Sequence, residues 1–123
     1  MSLAVRLESA STEFQKIQLE LQNAVEARQR LDAQLNENEL VKKEFAQLTP
    51  DNVVFKQIGP ALIKQDQAEA KSNVDTRLSF IQAEIKRVEG QLKDIQQRQE
   101  KKKAEIIEIQ TAIQQQQAQA PAS

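Results

Sequence analysis

A chain of 123 residues has room for one domain, and its 17 basic and 18 acidic residues leave a net charge of −1, so no excess field draws it to a phosphate backbone or an anionic membrane. Four phenylalanines are the only aromatics and two glycines and three prolines the only backbone breakers, while Gln, Glu, Lys, Ala, Leu and Ile dominate, a composition of long helices and coiled coils instead of an ordinary globular core. The absence of His and Cys removes imidazole acid–base chemistry, thiolate nucleophiles, disulfides and cysteine metal sites, and no cofactor is expected.

From Leu3, alternating steps of four and three fall on Leu3, Leu7, Ala10, Phe14, Ile17, Leu21, Ala24, Arg28, Leu31 and Leu35, all but Arg28 apolar. This heptad seam predicts a helix over residues 1–49, stopping at Thr49–Pro50 because proline disfavours the α conformation in the residue before it. Near Asn38 and Val41 the pattern slips by one residue, which reads as a local stutter. Arg6 and Glu8 break what would be the apolar stretch of a signal peptide, and nowhere do 18 apolar residues run together. Neither a leader nor a membrane span is expected, and a cytoplasmic protein is the default.

In residues 52–65, from Asn52 to Gln65, the helical period vanishes and β-branched and aromatic residues flank Gly59–Pro60, predicting a β-hairpin. Alternation puts Val53, Phe55 and Gln57 on one side and Val54, Lys56 and Ile58 on the other. On the second strand Leu62 and Lys64 alternate with Ala61, Ile63 and Gln65. A lone hairpin is marginal in water and leaves two unpaired edges. Hairpins from several chains are therefore expected to join into a larger sheet or closed barrel, with Val53, Val54, Phe55, Ile58, Leu62 and Ile63 at the subunit interface. A hairpin folded back on its own helices is the alternative.

A second helix is predicted over residues 66–117, with Asp66 as N-cap and Glu69 three positions on, followed by a disordered tail over 118–123 and fraying from Gln114. Its seam runs Val74, Leu78, Ile81, Ile85, Val88, Leu92, Ile95, Gln99, Lys102, Ile106, Ile109, Ile113 and Gln116. Gly90 reads as a tolerated surface residue. At ~1.5 Å per residue, helices of roughly 45 to 50 residues make arms on the order of 70 Å long. A hairpin connector favours antiparallel return, and the two seams match if facing residue numbers add to about 123: Phe45 with Leu78, Leu35 with Val88, Leu31 with Leu92, Ile17 with Ile106, Phe14 with Ile109 and Ala10 with Ile113. Arg28, Ala24, Gln99 and Lys102 make the middle the loosest stretch, where polar residues fix alignment or let the outer section splay.

No phosphate-binding loop or aromatic platform for a base is present. Glu37 with Glu39, Glu105 with Glu108, and Lys101 to Lys103 read as solvated helix faces. Three classes remain: a subunit of a larger assembly joined through its hairpin, a structural coiled-coil scaffold and the appended arm of an enzyme. Residues 52–65 separate them, because a scaffold needs no barrel-forming strands and an enzyme arm turns through a short polar loop.

The chain resembles the β-class prefoldin subunits in the run from Arg28 through Leu31, Asp32 and Leu35 to Asn38, in Val41 with Glu44, in Val53-Val54-Phe55-Lys56, in Gly59-Pro60-Ala61-Leu62-Ile63-Lys64-Gln65, and in Ala83-Glu84-Ile85-Lys86-Arg87. Ala61 stands where a larger aliphatic is common. The resemblance spans nearly the whole chain and is most specific in the hairpin. It implies a mainly α fold, a long antiparallel two-helix coiled coil with a central hairpin that joins an intersubunit β-barrel. It also implies a non-enzymatic hetero-hexamer of two α-class and four β-class subunits that captures unfolded clients such as actin and tubulin without ATP and passes them to the cytosolic group II chaperonin. In the antiparallel arrangement both termini lie at the free end, so Leu3, Leu7, Phe14, Ile17, Ile106, Ile107, Ile109 and Ile113 are the expected client-binding tip, kept soluble by Lys101, Lys102, Lys103 and Glu105.

Overall fold

The structure, a computed structural model, describes residues 1–119, which form α1 (Leu3–Ala46), β1 (Val54–Ile58), β2 (Ala61–Gln65) and α2 (Gln67–Gln119). Ser2 caps α1, its Oγ accepting from the Val5 N–H at 3.2 Å and its carbonyl from Arg6. The helix ends at Ala46, three residues before the expected step at Thr49. Tight hydrogen bonds from Gln47 to Glu44 and from Leu48 to Phe45 close its last turn, and Pro50 then sits inside a turn joining Asn52 to Thr49. Asp66 is the N-cap of α2, accepting from the Glu69 N–H at 3.2 Å. Helix α2 persists through Gln114 to Gln119, where fraying was expected, because Gln and Ala are good helix formers. Of the tail expected over 118–123, residues 120–123 lie outside the described residues.

Contacts divide the chain into two units, Met1–Ala27 with the chain from Glu89 onward, and Arg28–Val88. In the first unit Ile17, Ala24 and Ile95 form a buried cluster against which Leu21 and Leu92 pack, and Ala10 and Ile109 are buried. In the second, Ala70, Val74, Leu78, Ile81, Ile85 and Val88 are buried along one stripe of α2. Every seam position named above from Leu3 to Leu35, and from Val74 to Ile113, is buried or half-buried; Gln116 is exposed. Off-seam Val5, Leu19, Val25, Leu40, Phe80 and Ile107 are exposed, so the 3.5-residue period, not apolarity alone, decides what packs.

The facing register differs from the one the seams suggested. Ile17 was matched to Ile106, yet Ile17, Leu21 and Ala24 share their cluster with Leu92 and Ile95. Glu20 pairs with Arg98 and Glu13 with Lys102. In the second unit Lys42 pairs with Asp75, and Phe45 and Ala46 line a shallow notch with Lys71 and Val74, not Leu78. These pairs place facing residues one heptad away, with numbers adding to about 116. A slide of seven residues sets apolar positions opposite apolar positions again, so the stripe alone does not choose between registers. The ion pair of Glu20 with Arg98, outside the apolar stripe, marks the register taken; the strands pair with residue numbers adding to 119, between the two values. Ala24, expected in a loose stretch, lies in the core cluster. Nor is there a stutter: Asn38 and Phe45 are half-buried while Val41 is exposed, so the phase runs unbroken from Leu35. Lys42 stands at the intervening seam position but is exposed, its Nζ 3.1 Å from Asp75.

The hairpin is antiparallel, with Val54 opposite Gln65, Phe55 opposite Lys64, Lys56 opposite Ile63, Gln57 opposite Leu62 and Ile58 opposite Ala61. Gly59 has φ +58° and proline holds φ near −65°, the sign pattern of a type II′ turn, which matches strand twist. A Cβ on Gly59 would meet nothing within 4 Å, so Gly59→Ala pays only for its backbone conformation, about 1–2 kcal/mol. The expected result is a reduced hairpin population, read from cross-strand NMR contacts. Gly90→Ala, in open space within α2, is expected to raise stability by up to ~1 kcal/mol.

Candidate assembly and client-binding surfaces

The base of the hairpin is tied to the segment that follows α1 and to the start of α2. The Asn52 side-chain oxygen accepts from the Thr49 N–H at 2.7 Å and from its hydroxyl at 3.1 Å. Gln67 Nε2, at the start of α2, donates to the Thr49 and Asn52 carbonyls at 2.9 and 2.7 Å. These bonds fix where the strands emerge. Beyond them neither face is covered. Because directly opposed residues share a face, one face carries Phe55 and Leu62 with Gln57 and Lys64, and the other Val54, Ile58, Ala61 and Ile63 with Lys56 and Gln65. Phe55 and Leu62 are 55% and 68% exposed, Ile58 and Ile63 52% and 49%. Five of the six residues expected at an interface are on the hairpin strands, and Val53 directly precedes β1; all are open to solvent apart from half-buried Val54. Both faces being exposed also rules out the hairpin folded back on its own helices.

The eight tip residues all belong to the unit that holds both chain ends, but they differ in availability. Ile17 and Ile109 are closed in the seam, 7% and 2% exposed. Leu3, Leu7, Phe14, Ile106 and Ile113 are half-buried. Ile107, off the seam, is exposed.

Lys102 has a role the sequence reading missed. Instead of standing in solvent, it occupies the seam with its side chain only 18% exposed, paired with Glu13 of α1 and with Glu105 of α2 at 2.8 Å. The signal was available in its seam position and in a glutamate three residues on. Both carboxylates hold the ammonium, Glu105 most strongly, and raise its pKa. The Glu13 carboxyl is lowered below 4.5 by its hydrogen bond to Lys102, then by the charges of Lys102 and Lys16. A carboxyl with a depressed folded-state pKa contributes stability above its unfolded value and loses it as pH falls through the folded one. Glu13→Gln is therefore expected to melt slightly below the native chain at pH 7 and to coincide with it well below pH 4.5, as read from paired thermal melts.

No helix among the described residues is long and apolar enough to cross a membrane. The sequence profile of the prefoldin subunit family matches residues 9–119. The chain is 42% identical over 113 residues to prefoldin subunit 6 of Bos taurus and of Homo sapiens, covering 92% of this chain and 88% of each relative. It is 44% identical over 96 residues to prefoldin subunit 6 of Saccharomyces cerevisiae, covering 78% and 84%. Its fold matches the crystal structure of the prefoldin beta subunit from Thermococcus strain KS-1 with a TM-score of 0.76 over 95% of both chains, at 20% identity. Two long helices around an antiparallel hairpin, a family match along nearly the whole chain and relatives above 40% identity place this chain in the prefoldin subunit family.

Proposed function

We propose that this chain is one subunit of a hetero-hexameric prefoldin in the cytosol, a co-chaperone that works by binding alone. Its hairpin joins those of α-class and β-class sister subunits in a shared β-barrel. The unit holding the chain ends captures unfolded polypeptides of the actin and tubulin type, and the complex passes them to the group II chaperonin. The observation that carries this reading is the hairpin with two apolar faces exposed and two unpaired edges. Burying a side chain such as Phe55 or Leu62 is worth about 1.5–3 kcal/mol, and only strands from other chains supply both that cover and the missing backbone partners. Similarity to prefoldin subunit 6 across most of the chain supports the same assignment. Mixing the chain with candidate sister subunits and measuring the assembled mass tests it. A discrete six-chain complex that suppresses aggregation of an unfolded client is expected. A chain that stays alone in every mixture would overturn it.

A further inference from the structure

We propose that the hairpin selects sister strands that carry carboxylates facing Lys56 and Lys64, and that these two lysines reject a second copy of this chain. The inference rests on the assembly reading above and specifies the chemistry of the partner. Between Asp51 and Asp66 the chain contains two lysines and no acidic residue. The register assigns one lysine to each face: Lys64 lies opposite Phe55, and Lys56, the middle residue of β1, lies opposite Ile63. Both are exposed, and neither makes an ion pair among the described residues. The flanking acids do not serve them. Asp66 is engaged as the cap of α2, and Asp51 lies in the turn outside the strands.

Closing a sheet over these faces carries each ammonium into an apolar layer. An unpaired charge there is strongly unfavourable. A copy of the same hairpin offers only further lysines, glutamines and apolar residues, so self-association gathers like charge on both faces. A strand bearing Asp or Glu turns the same two positions into attraction. One pair of residues thus supplies the repulsion and the attraction that partner choice requires.

The test uses the full chain and its Lys56→Glu/Lys64→Glu double variant in analytical ultracentrifugation. Each alone is expected to remain a single chain, and their equimolar mixture to form multi-chain species that dissolve at high salt. With the natural sister subunits, the double variant is expected to incorporate at least about tenfold more weakly than the native chain. Self-assembly of the native chain to the same extent as the mixture would overturn the proposal, and so would unchanged incorporation of the double variant. Phe55→Ser/Leu62→Ser separates the two levels. If it disperses a self-assembled native chain, hairpin assembly stands and charge selection falls. If it leaves the complex with sister subunits untouched, hairpin assembly itself fails.

Discussion

Serine at both Phe55 and Leu62 is expected to leave the two helices folded and to remove the chain from its multi-subunit complex. The two side chains are diagonal neighbours on one face, since Phe55 opposes Lys64 and Leu62 opposes Gln57. Both are exposed in the single chain, so polar replacement costs that chain little. In a closed sheet each forfeits about 1.5–3 kcal/mol of burial and brings a hydroxyl into an apolar layer. The combined loss of roughly 3–6 kcal/mol corresponds to association weaker by at least about 100-fold. Circular dichroism of the variant is expected to overlay the native spectrum, while native mass spectrometry of the mixture with sister subunits shows it left out. A variant that enters the complex with undiminished affinity would mean that this face is not the joint.

How far the sequence discloses these surfaces depends on which interactions are periodic. The seam from Leu3 to Leu35 and from Val74 to Ile113 was legible because burial follows a 3.5-residue repeat visible in the residues themselves. The hairpin was legible because Gly59–Pro60 interrupts that repeat and Val53 to Ile58 cannot continue it. Register was not. A heptad repeat maps onto itself after seven residues, so matching Ile17 to Ile106 satisfies the pattern as well as the observed cluster with Ile95 does. The information that decides lies outside the seam, in ion pairs such as Glu20 with Arg98. Polar seam residues misled for a related reason. Lys102 counts as an interruption by hydropathy, but its side chain is only 18% exposed on the stripe while its ammonium reaches Glu13. The apparent stutter at Val41 came from reading Lys42 as an interruption of the stripe, whose phase runs on through half-buried Asn38 and Phe45.

Removing residues 1–10 and 110–123 is expected to abolish client protection while leaving assembly intact, provided every arm of the complex is shortened correspondingly. The two segments belong to the unit that holds both chain ends, whereas the hairpin belongs to the other, so the deletion does not touch the strands that assemble. It removes Leu3, Leu7 and Ile113, which are only half-buried and so need little rearrangement to meet a client. Each arm alone offers a small apolar area and binds weakly. On the proposed reading, several arms around one unfolded chain bind it by effective concentration, a gain of about 10²–10⁴ over a single contact. Shortening this arm alone is therefore expected to weaken capture, and shortening all of them to eliminate it. Light scattering of a diluted unfolded client reads both, with sedimentation confirming that each complex keeps its subunit count. Equal suppression of aggregation by the fully shortened complex would reject the chain ends as the capture surface and shift attention to exposed apolar residues of the other unit, Leu40 and Phe80.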